Sequence, residues 1–304
     1  MDLIPEKWST DGIRLKISLQ RWCIRRGQVS LSADLSILRR SCMMNPDLSF
    51  WSVGMKKLAI VFISGILVLA MGSVKARPEA AQAKATVKIT GRVTDFKGRP
   101  VEGAAVELKN SRFENAAEGV SDKDGRYALT VPRGTYMALA AVKDYQVKSL
   151  EYWAWNVPAE QDLEINPRFD RLEVYGINAW RPQGGYPSYQ IYFRPMSLTR
   201  TIKAVQDAGG MDNLGKLKVI DIAPGLTADD IQVAIDGQPV RVLQLNKVRE
   251  VSGPNQYLFG YLIQVPLPEK NPGTESFPIT ITLTDRATGE RGEGCLYFRT
   301  ARLL

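Results

Sequence analysis

The fold of this chain is decided by residues 86–108, which read TVKITGRVTDFKGRPVEGAAVEL. Apolar residues alternate with polar ones on both sides of the turn-forming run FKGRP, at Val87, Ile89 and Val93 before it and at Val106 and Leu108 after it. A period of two is typical of β-strands, because successive side chains point to opposite faces of a sheet. The segment therefore predicts short strands connected by tight turns.

The same pattern continues as far as residue 169. In the run SDKDG at 121–125, an Asp side chain can bind nearby backbone amides and Gly125 can adopt a positive φ, so a turn leading into a hairpin is predicted. A second turn is predicted at PRG, residues 132–134, with further strand-like runs at 147–157 and 162–169. Seven short strands without a long amphipathic helix predict an antiparallel sandwich over residues 84–170.

Four motifs in this segment carry a family resemblance. They are ITGRVTD at 89–95, GRPVEGAAV at 98–106, DGRY at 124–127 and VPRGTY at 131–136. In this order they resemble the carboxypeptidase regulatory-like domain, a prealbumin-like (transthyretin-like) fold related to the collagen-adhesin B-type domains. The resemblance implies an accessory or structural sandwich without catalytic residues. The adhesin domains can form a Lys to Asn isopeptide bond, but strand 136–142 lacks the carboxylate that this reaction uses, so no self-crosslink is expected.

Residues 171–304 are predicted to form a second sandwich. Asp236-Gly237 lies between the alternating runs 231–235 and 240–243, an arrangement typical of a hairpin. A short helix is predicted over 199–207, and further strands over 172–177, 189–193, 257–266, 279–284 and 294–299. The predicted fold class is therefore all-β: two antiparallel β-sandwich modules, prealbumin-like followed by immunoglobulin-like, after an N-terminal signal segment.

A signal peptide is predicted at Met55 to Ala76. Lys56 and Lys57 precede fourteen uncharged residues, 58–71, and Val74 and Ala76 are the small residues of a cleavage site. Fourteen residues are few for a spanning helix, so cleavage and a secreted or periplasmic location are expected. Residues 1–54 are interpreted as a misassigned upstream extension or a disordered tail. The alternative is a cytoplasmic tail on a protein anchored in the membrane by an uncleaved signal.

The net charge of +8 is concentrated in front of the predicted cleavage site. Residues 1–76 contain 11 Lys and Arg against 5 Asp and Glu, whereas residues 77–304 contain 29 against 27. Binding along a nucleic-acid backbone depends on clustered Lys and Arg. The nearly neutral body of the chain therefore predicts no nucleic-acid partner.

The residue types restrict the chemistry. The chain contains no histidine, which excludes Ser-His-Asp catalysis and zinc sites with imidazole ligands, and only Cys295 follows the predicted signal. The acidic pairs at 122/124 and 229/230 lie in turn-like contexts, where Asp binds its own backbone. A calcium site at 122/124 lacks a third acidic ligand. No catalytic residue, metal or cofactor is predicted, and the protein is not expected to be an enzyme.

The aromatic residues are more concentrated in one part of the chain than its overall composition explains. Large aromatic side chains concentrate near residue 170, and six of them are candidates for contact with a ligand or between the modules: Tyr152, Trp153, Trp155, Trp180, Tyr186 and Tyr189. One interpretation is that they pack between the two sandwiches, because aromatic side chains bury much area. The other is an exposed platform that stacks on sugar rings.

The sequence thus predicts an exported, non-catalytic structural or protein-interaction protein of the cell envelope. The alternative is a carbohydrate-binding module that uses the aromatic platform. A hydrolase without histidine is a third hypothesis, which would need two carboxyl groups facing one cleft. The expected partners are other envelope proteins or a polysaccharide.

Overall fold

A computed structural model describes residues 85–300 of the chain. The predictions for residues 1–54 and for the signal at Met55 to Ala76 lie outside the described residues. Within the described part of the chain, no helix is both long and apolar enough to cross a membrane. We refer to residues 85–171 as the first half and to residues 172–300 as the second half.

The first half consists of strands. Their bounds are β1 (Thr86–Arg92), β2 (Ala105–Lys109), β3 (Asn115–Val120), β4 (Arg126–Pro132), β5 (Gly134–Val142), β6 (Tyr152–Ala159) and β7 (Leu163–Glu164).

The second half adds eight strands and short helical segments. The strands are β8 (Leu172–Trp180), β9 (Ser188–Ser197), β10 (Ile231–Ile235), β11 (Gln238–Val240), β12 (Gln244–Gly253), β13 (Gln256–Pro266), β14 (Ser276–Thr284) and β15 (Arg291–Arg299). The helices are α1 (Leu198–Asp207), α2 (Met211–Leu214) and a 3₁₀ turn at Ala228–Asp230. The predicted all-β class is confirmed, as is the helix expected over 199–207.

The two halves share one sheet. An eight-stranded sheet has the order β11-β10-β14-β15-β6-β5-β2-β3, so four strands of the second half continue directly into four strands of the first half. The junction is a parallel pairing of β15 with β6, from Gly294 opposite Trp153 to Leu296 opposite Trp155. The alternation of side chains does not predict this pairing, because it joins segments about 140 residues apart in the chain.

Two smaller sheets cover this shared sheet on opposite faces. The sheet β4-β1-β7 packs over the first half, and the sheet β12-β13-β9-β8 over the second. On β15, Cys295 and Tyr297 enter the first hydrophobic core, whereas Leu296 between them enters the second. Because side chains alternate across a strand, one strand supplies both cores.

The turns were predicted in part correctly. Gly125 has φ 78°, as the predicted turn requires, and the Asp236-Gly237 turn connects the paired strands β10 and β11. The hairpin predicted around 121–125 is wrong, and the turn predicted at 132–134 does not connect paired strands either. Strand β4 lies in the three-stranded sheet, while β3 before it and β5 after it lie in the eight-stranded sheet. Both turns therefore carry the chain across the sandwich, a choice that alternation alone does not reveal.

Candidate functional site

The aromatic residues of β6 divide between the two faces of that strand. Tyr152 is buried in the first core, and Trp153 and Trp155 lie together on the opposite face. This is the arrangement expected from the alternation of side chains along a strand. The Trp153 and Trp155 face is the one directed toward β8.

The three other candidates lie in the second half. Tyr189 is buried in the second core, where its ring meets Phe298 edge-on at 5.2 Å. Trp180 and Tyr186 are 45% and 59% exposed. The interpretation that all six residues pack between the sandwiches therefore fails for Trp180 and Tyr186, which lie on the surface.

A buried aromatic stack fixes the junction. The ring of Trp153 lies 5.3 Å from that of Trp155 and 5.7 Å from that of Phe113, and the planes are inclined by only about 20°. Trp153 is 1% exposed, and its Nε1 donates to Glu173 Oε1 at 2.9 Å. Since Glu173 belongs to β8, this hydrogen bond ties the first half directly to the second.

The stack continues into the second half through Tyr175 and Arg194. Tyr175 packs against the cluster that contains Trp153. The guanidinium carbon of Arg194 lies 5.8 Å from the ring centre of Tyr175 and 5.8 Å from that of Tyr192. Both distances fit a cation–π contact. A column of rings and one guanidinium thus leads from the buried junction to the surface of the four-stranded sheet.

Two ion pairs reinforce the junction. Arg168 of the first half contacts Glu293 on β15, and Thr282 Oγ1 also donates to this carboxylate at 2.8 Å. The hydrogen bond to Glu293 raises the pKa of Arg168. Arg171 pairs with the buried Glu290 at 3.2 Å. These carboxylates are partnered and therefore serve the packing of the two halves.

The four-stranded sheet presents an amide-rich surface on the side away from the second core. Register and alternation place two rows of side chains there: Trp180, Gln190, Gln264 and Gln244 in one, and Asn178, Tyr192, Leu262 and Asn246 in the next. The residues between them, such as Ile191 and Ile263, are fully buried on the other side. We call these two rows, together with Arg194 and Glu250, the outer face.

Charge on the outer face is held in one compact group. Arg194 Nε donates to Glu250 Oε2 at 2.7 Å, Arg194 Nη2 contacts Glu250 Oε1, and the Tyr192 hydroxyl donates to Glu250. Burial alone would raise the pKa of Glu250, but the hydrogen bonds and charge of Arg194 and the bond from Tyr192 hold it below its ordinary value. Burial and the bond to Glu250 raise the pKa of Tyr192. The three side chains form a neutral, mutually satisfied group.

The ring of Tyr192 lies directly over a glycine. A Cβ placed on Gly260 would come within 2.6 Å of Tyr192 Cζ and 2.7 Å of Cε2. Any larger residue at 260 would therefore displace the ring. The absence of a side chain is what allows Tyr192 to lie across the sheet and reach Glu250.

A cleft opens beside the outer face, where β6 and β15 separate. Their pairing ends at Trp155 and Leu296, and the next residue, Asn156, has φ 57°. The cleft has a volume of about 330 Å³, at the small end of the range for ligand pockets. Its lining includes Asn156, Pro158, Asn178, Tyr297, Phe298 and Arg299. Asn178 belongs to both the cleft and the outer face.

The acidic pairs have local structural roles. Asp122 Oδ1 accepts from the backbone amides of Asp124 and Arg126 at 2.9 and 2.8 Å. Asp230 accepts from both the backbone and the hydroxyl of Thr227, and it pairs with Arg286 at 2.8 Å. Over residues 85–300, no three Cys, Asp or Glu side chains are grouped in a way that could hold a metal.

Cys295 is placed as a core residue. It lies in the first core on β15, and burial raises the pKa of its thiol to about 12. A thiol of this kind is a poor nucleophile, because the thiolate is the reactive form.

The first half of the chain is similar to a known protein family. Residues 88–168 match the family model of the carboxypeptidase regulatory-like domain. Residues 88–168 thus contain a carboxypeptidase regulatory-like domain, as the four motifs predicted. The match ends just before β8, so the outer face lies beyond the regulatory-like domain. No curated protein matches the chain.

Solved structures include similar β-proteins. The chain is similar to BcpA, the major pilin subunit of Bacillus cereus, with 10% identity, coverage of 70% of this chain and 67% of that chain, and a TM-score of 0.23. It is similar to the major pilin SpaD of Corynebacterium diphtheriae, with 7% identity, coverage of 70% and 66%, and a TM-score of 0.21. A DUF3823 family protein from Parabacteroides merdae has 9% identity, coverage of 71% and 100%, and a TM-score of 0.22. Similarity at this level says nothing about ligand or activity.

The functional surface could be predicted only in part. The alternation in β9, with Gln190, Tyr192 and Arg194 between buried apolar residues, is visible in the sequence and indicates a polar face. The partners Glu250 and Gly260 could not be predicted, because they lie on strands whose register depends on the folded sheet. Phe113 also gave no signal, since it is a single aromatic residue in a polar loop.

Proposed function

We propose that this chain is an exported, non-catalytic protein of the cell envelope that binds a polysaccharide through the outer face. The observation that carries the proposal is the position of Trp180, which is 45% exposed at the end of β8 in a row of glutamine side chains. An exposed large aromatic side chain beside hydrogen-bonding groups is typical of a binding surface.

The chemistry of the outer face suits a saccharide. A sugar ring offers an apolar face of C–H groups and a rim of hydroxyls that both donate and accept hydrogen bonds. Aromatic rings match the first, and the amides of Asn and Gln, which also donate and accept, match the second. The adjoining cleft adds Asn156 and Asn178 next to Tyr297 and Phe298. The cleft therefore offers the same two kinds of group as the outer face, aromatic rings and side-chain amides, and Asn178 belongs to both.

Export belongs to the proposal. The leader at Met55 to Ala76 and the almost neutral charge of the body favour a secreted or periplasmic protein without a nucleic-acid partner. N-terminal sequencing of the exported species is expected to give a start near Arg77, after Ala76, or near Lys84, after a second pair of small residues, Ala81 and Ala83. A retained N-terminus from residues 1–54 would contradict both the cleavage and the interpretation of that segment.

A second candidate is a structural or protein-interaction role in the envelope. It is favoured by the continuous eight-stranded sheet, which joins both halves through β6 and β15 instead of a flexible linker. A rigid module of this kind suits a load-bearing or scaffolding part. It would bind other envelope proteins, and its surface aromatic residues would contact those proteins.

Depletion assays with insoluble polysaccharides test the first candidate. The wild type is expected to bind at least one of cellulose, chitin or mannan, and Trp180→Ala is expected to remove that binding without unfolding the protein. Trp153→Phe, which retains a buried ring, is the control that should bind normally. Equal binding by the wild type and Trp180→Ala would contradict the assignment, and no binding by the wild type would favour the protein-interaction role.

A further inference from the structure

We infer that Tyr192 is a stacking platform for an uncharged polysaccharide, held in place by Arg194 and Glu250 over the gap left by Gly260. This inference rests on the proposed function and specifies the class of ligand and the residues that position it. Neither Tyr192 nor its partners belong to the six aromatic candidates taken from the sequence.

The first step is the placement of the ring. Tyr192 is half-buried, and it leans on the backbone of Gly260, where a Cβ would lie 2.6 Å from its Cζ. Its hydroxyl donates to Glu250. A ring held at both its face and its hydroxyl loses little further freedom when a ligand stacks on it, and such preorganisation favours binding.

The second step is the role of Arg194. Its guanidinium lies 5.8 Å from the ring centres of both Tyr175 and Tyr192, and its Nε and Nη2 both contact the carboxylate of Glu250. Through Tyr175 it is braced against the buried stack at the junction. Arg194 and Glu250 are therefore positioning residues, which act through the ring of Tyr192.

The third step is the class of ligand. Over the two rows of the outer face, the polar side chains are the uncharged amides of Asn178, Gln190, Gln244, Asn246 and Gln264. The one cation and the one anion beside them neutralise each other. Within these two rows no charge is left uncompensated, so a charged polymer gains little electrostatic energy there for the water it must lose. It favours a neutral glycan, whose binding should not depend on salt.

The fourth step is the spacing of the platforms. Trp180 on β8 is paired with Gln190, and Asn178 is paired with Tyr192, so Trp180 and Tyr192 are diagonal neighbours on adjacent strands. Diagonal positions are separated by roughly 7–8 Å. Two rings at this separation on one face can contact different sugar units of a single chain. The inference therefore predicts binding of oligosaccharides and not of monosaccharides.

The test uses affinity measurements with soluble neutral glycans (cello-, chito- and manno-oligosaccharides) and with charged ones (alginate and polygalacturonate), at low and high salt. We expect a neutral glycan to bind with salt-independent affinity, and Tyr192→Ala to weaken it at least about tenfold. Gly260→Ala should weaken it similarly by lifting the ring. Gly273→Ala is the matched control, since a Cβ there meets nothing within 4 Å.

Double variants separate positioning from general stability. Glu250→Gln is expected to weaken binding in the wild-type background and to have no effect in the Tyr192→Ala background, because its action passes through that ring. Independent effects of the two substitutions would overturn the positioning role. If Gly260→Ala fails to fold, Tyr192→Ala, which removes a half-buried side chain, still decides the outcome.

The outcomes distinguish this inference from the proposed function. Loss of binding in Trp180→Ala but not in Tyr192→Ala would overturn the platform and leave the proposed function intact. Binding restricted to alginate or polygalacturonate and weakened by salt would overturn the uncharged class. Failure of the wild type to bind any glycan would overturn both.

Discussion

The tryptophans of the first half and of the second half occupy opposite environments. Trp153 and Trp155 are stacked against Phe113 at the junction, whereas Trp180 stands 45% exposed at the end of β8. All three belong to strands, and the difference arises from what covers those strands. Trp153 and Trp155 lie on the face of β6 that β8 covers, whereas Trp180 lies on the outer face of its own sheet, which no other sheet of the described residues covers. Similar side chains thus stabilise the junction in one place and form a surface in the other.

The largest expected effect is on the buried side of this comparison. Trp153→Ala removes a fully buried ring and the hydrogen bond to Glu173, and it should lower the free energy of unfolding by about 3–5 kcal/mol. Urea unfolding measures the loss. Alkylation of Cys295, which pairs with Ala154 across the junction, should become faster in the variant. Unchanged stability would show that the stack is not a structural joint.

The next effect tests whether the halves are independent. Gly125→Val places a β-branched residue at φ 78°, where its Cβ would also approach Pro100 Cβ to 3.2 Å. A cost of about 1–3 kcal/mol is expected from the backbone conformation alone. The sequence predicts that only the first module would be destabilised. The shared sheet predicts instead that hydrogen exchange accelerates in both β1 and β13. Protected exchange in β13 would restore the picture of two independent modules.

A smaller effect follows from the pKa of Glu250. The carboxyl is held below its ordinary value of 4.5, so its stabilising contribution is fully present above that pH and is lost as the pH falls through the lowered value. Glu250→Gln should therefore cost about 1 kcal/mol at pH 7, as expected for a partly exposed pair, and less in acid. Unfolding curves between pH 7 and pH 3 measure this difference, which should shrink with acidification. A constant difference would contradict the role of the ionised carboxylate.

The smallest effect on stability is expected on the exposed side. Trp180→Ala should change the free energy of unfolding by no more than about 0.5 kcal/mol, since its side chain is partly in solvent, while polysaccharide binding is lost. Thermal unfolding and depletion assays on the same samples separate the two quantities. A loss of stability as large as that of Trp153→Ala would contradict this prediction. It would indicate that Trp180 packs in the junction as Trp153 does.

Much of the strand content followed from alternation and turn residues. The strands around β1, β13, β14 and β15 and the helix α1 were predicted within a few residues, because local sequence patterns indicate such elements without information on their partners. Strand β12 was missed. It is an edge strand whose residues are mostly exposed or intermediate, so no apolar stripe marks it.

The candidate site was predicted less well. The sequence indicated a concentration of rings near residue 170, and alternation in β6 separated Tyr152 from Trp153. It could not separate Trp153 from Trp180, because burial depends on which strand passes above each residue. Nor could it select Tyr192, because the position of its ring depends on Gly260 and Glu250, which lie on two other strands.

The sequence by itself determined the all-β class, the regulatory-like motifs, the Gly125 turn and the exclusion of histidine chemistry. These depend on local conformational preferences or on residue types, which need no partner. Only the tertiary structure decided that β6 and β15 join the halves in one sheet, that the turns around β4 cross between sheets, and that the outer face is charge-compensated. Each of these depends on pairing between segments far apart in the chain. A local pattern indicates that a segment forms a strand, but it does not determine which other strand pairs with it.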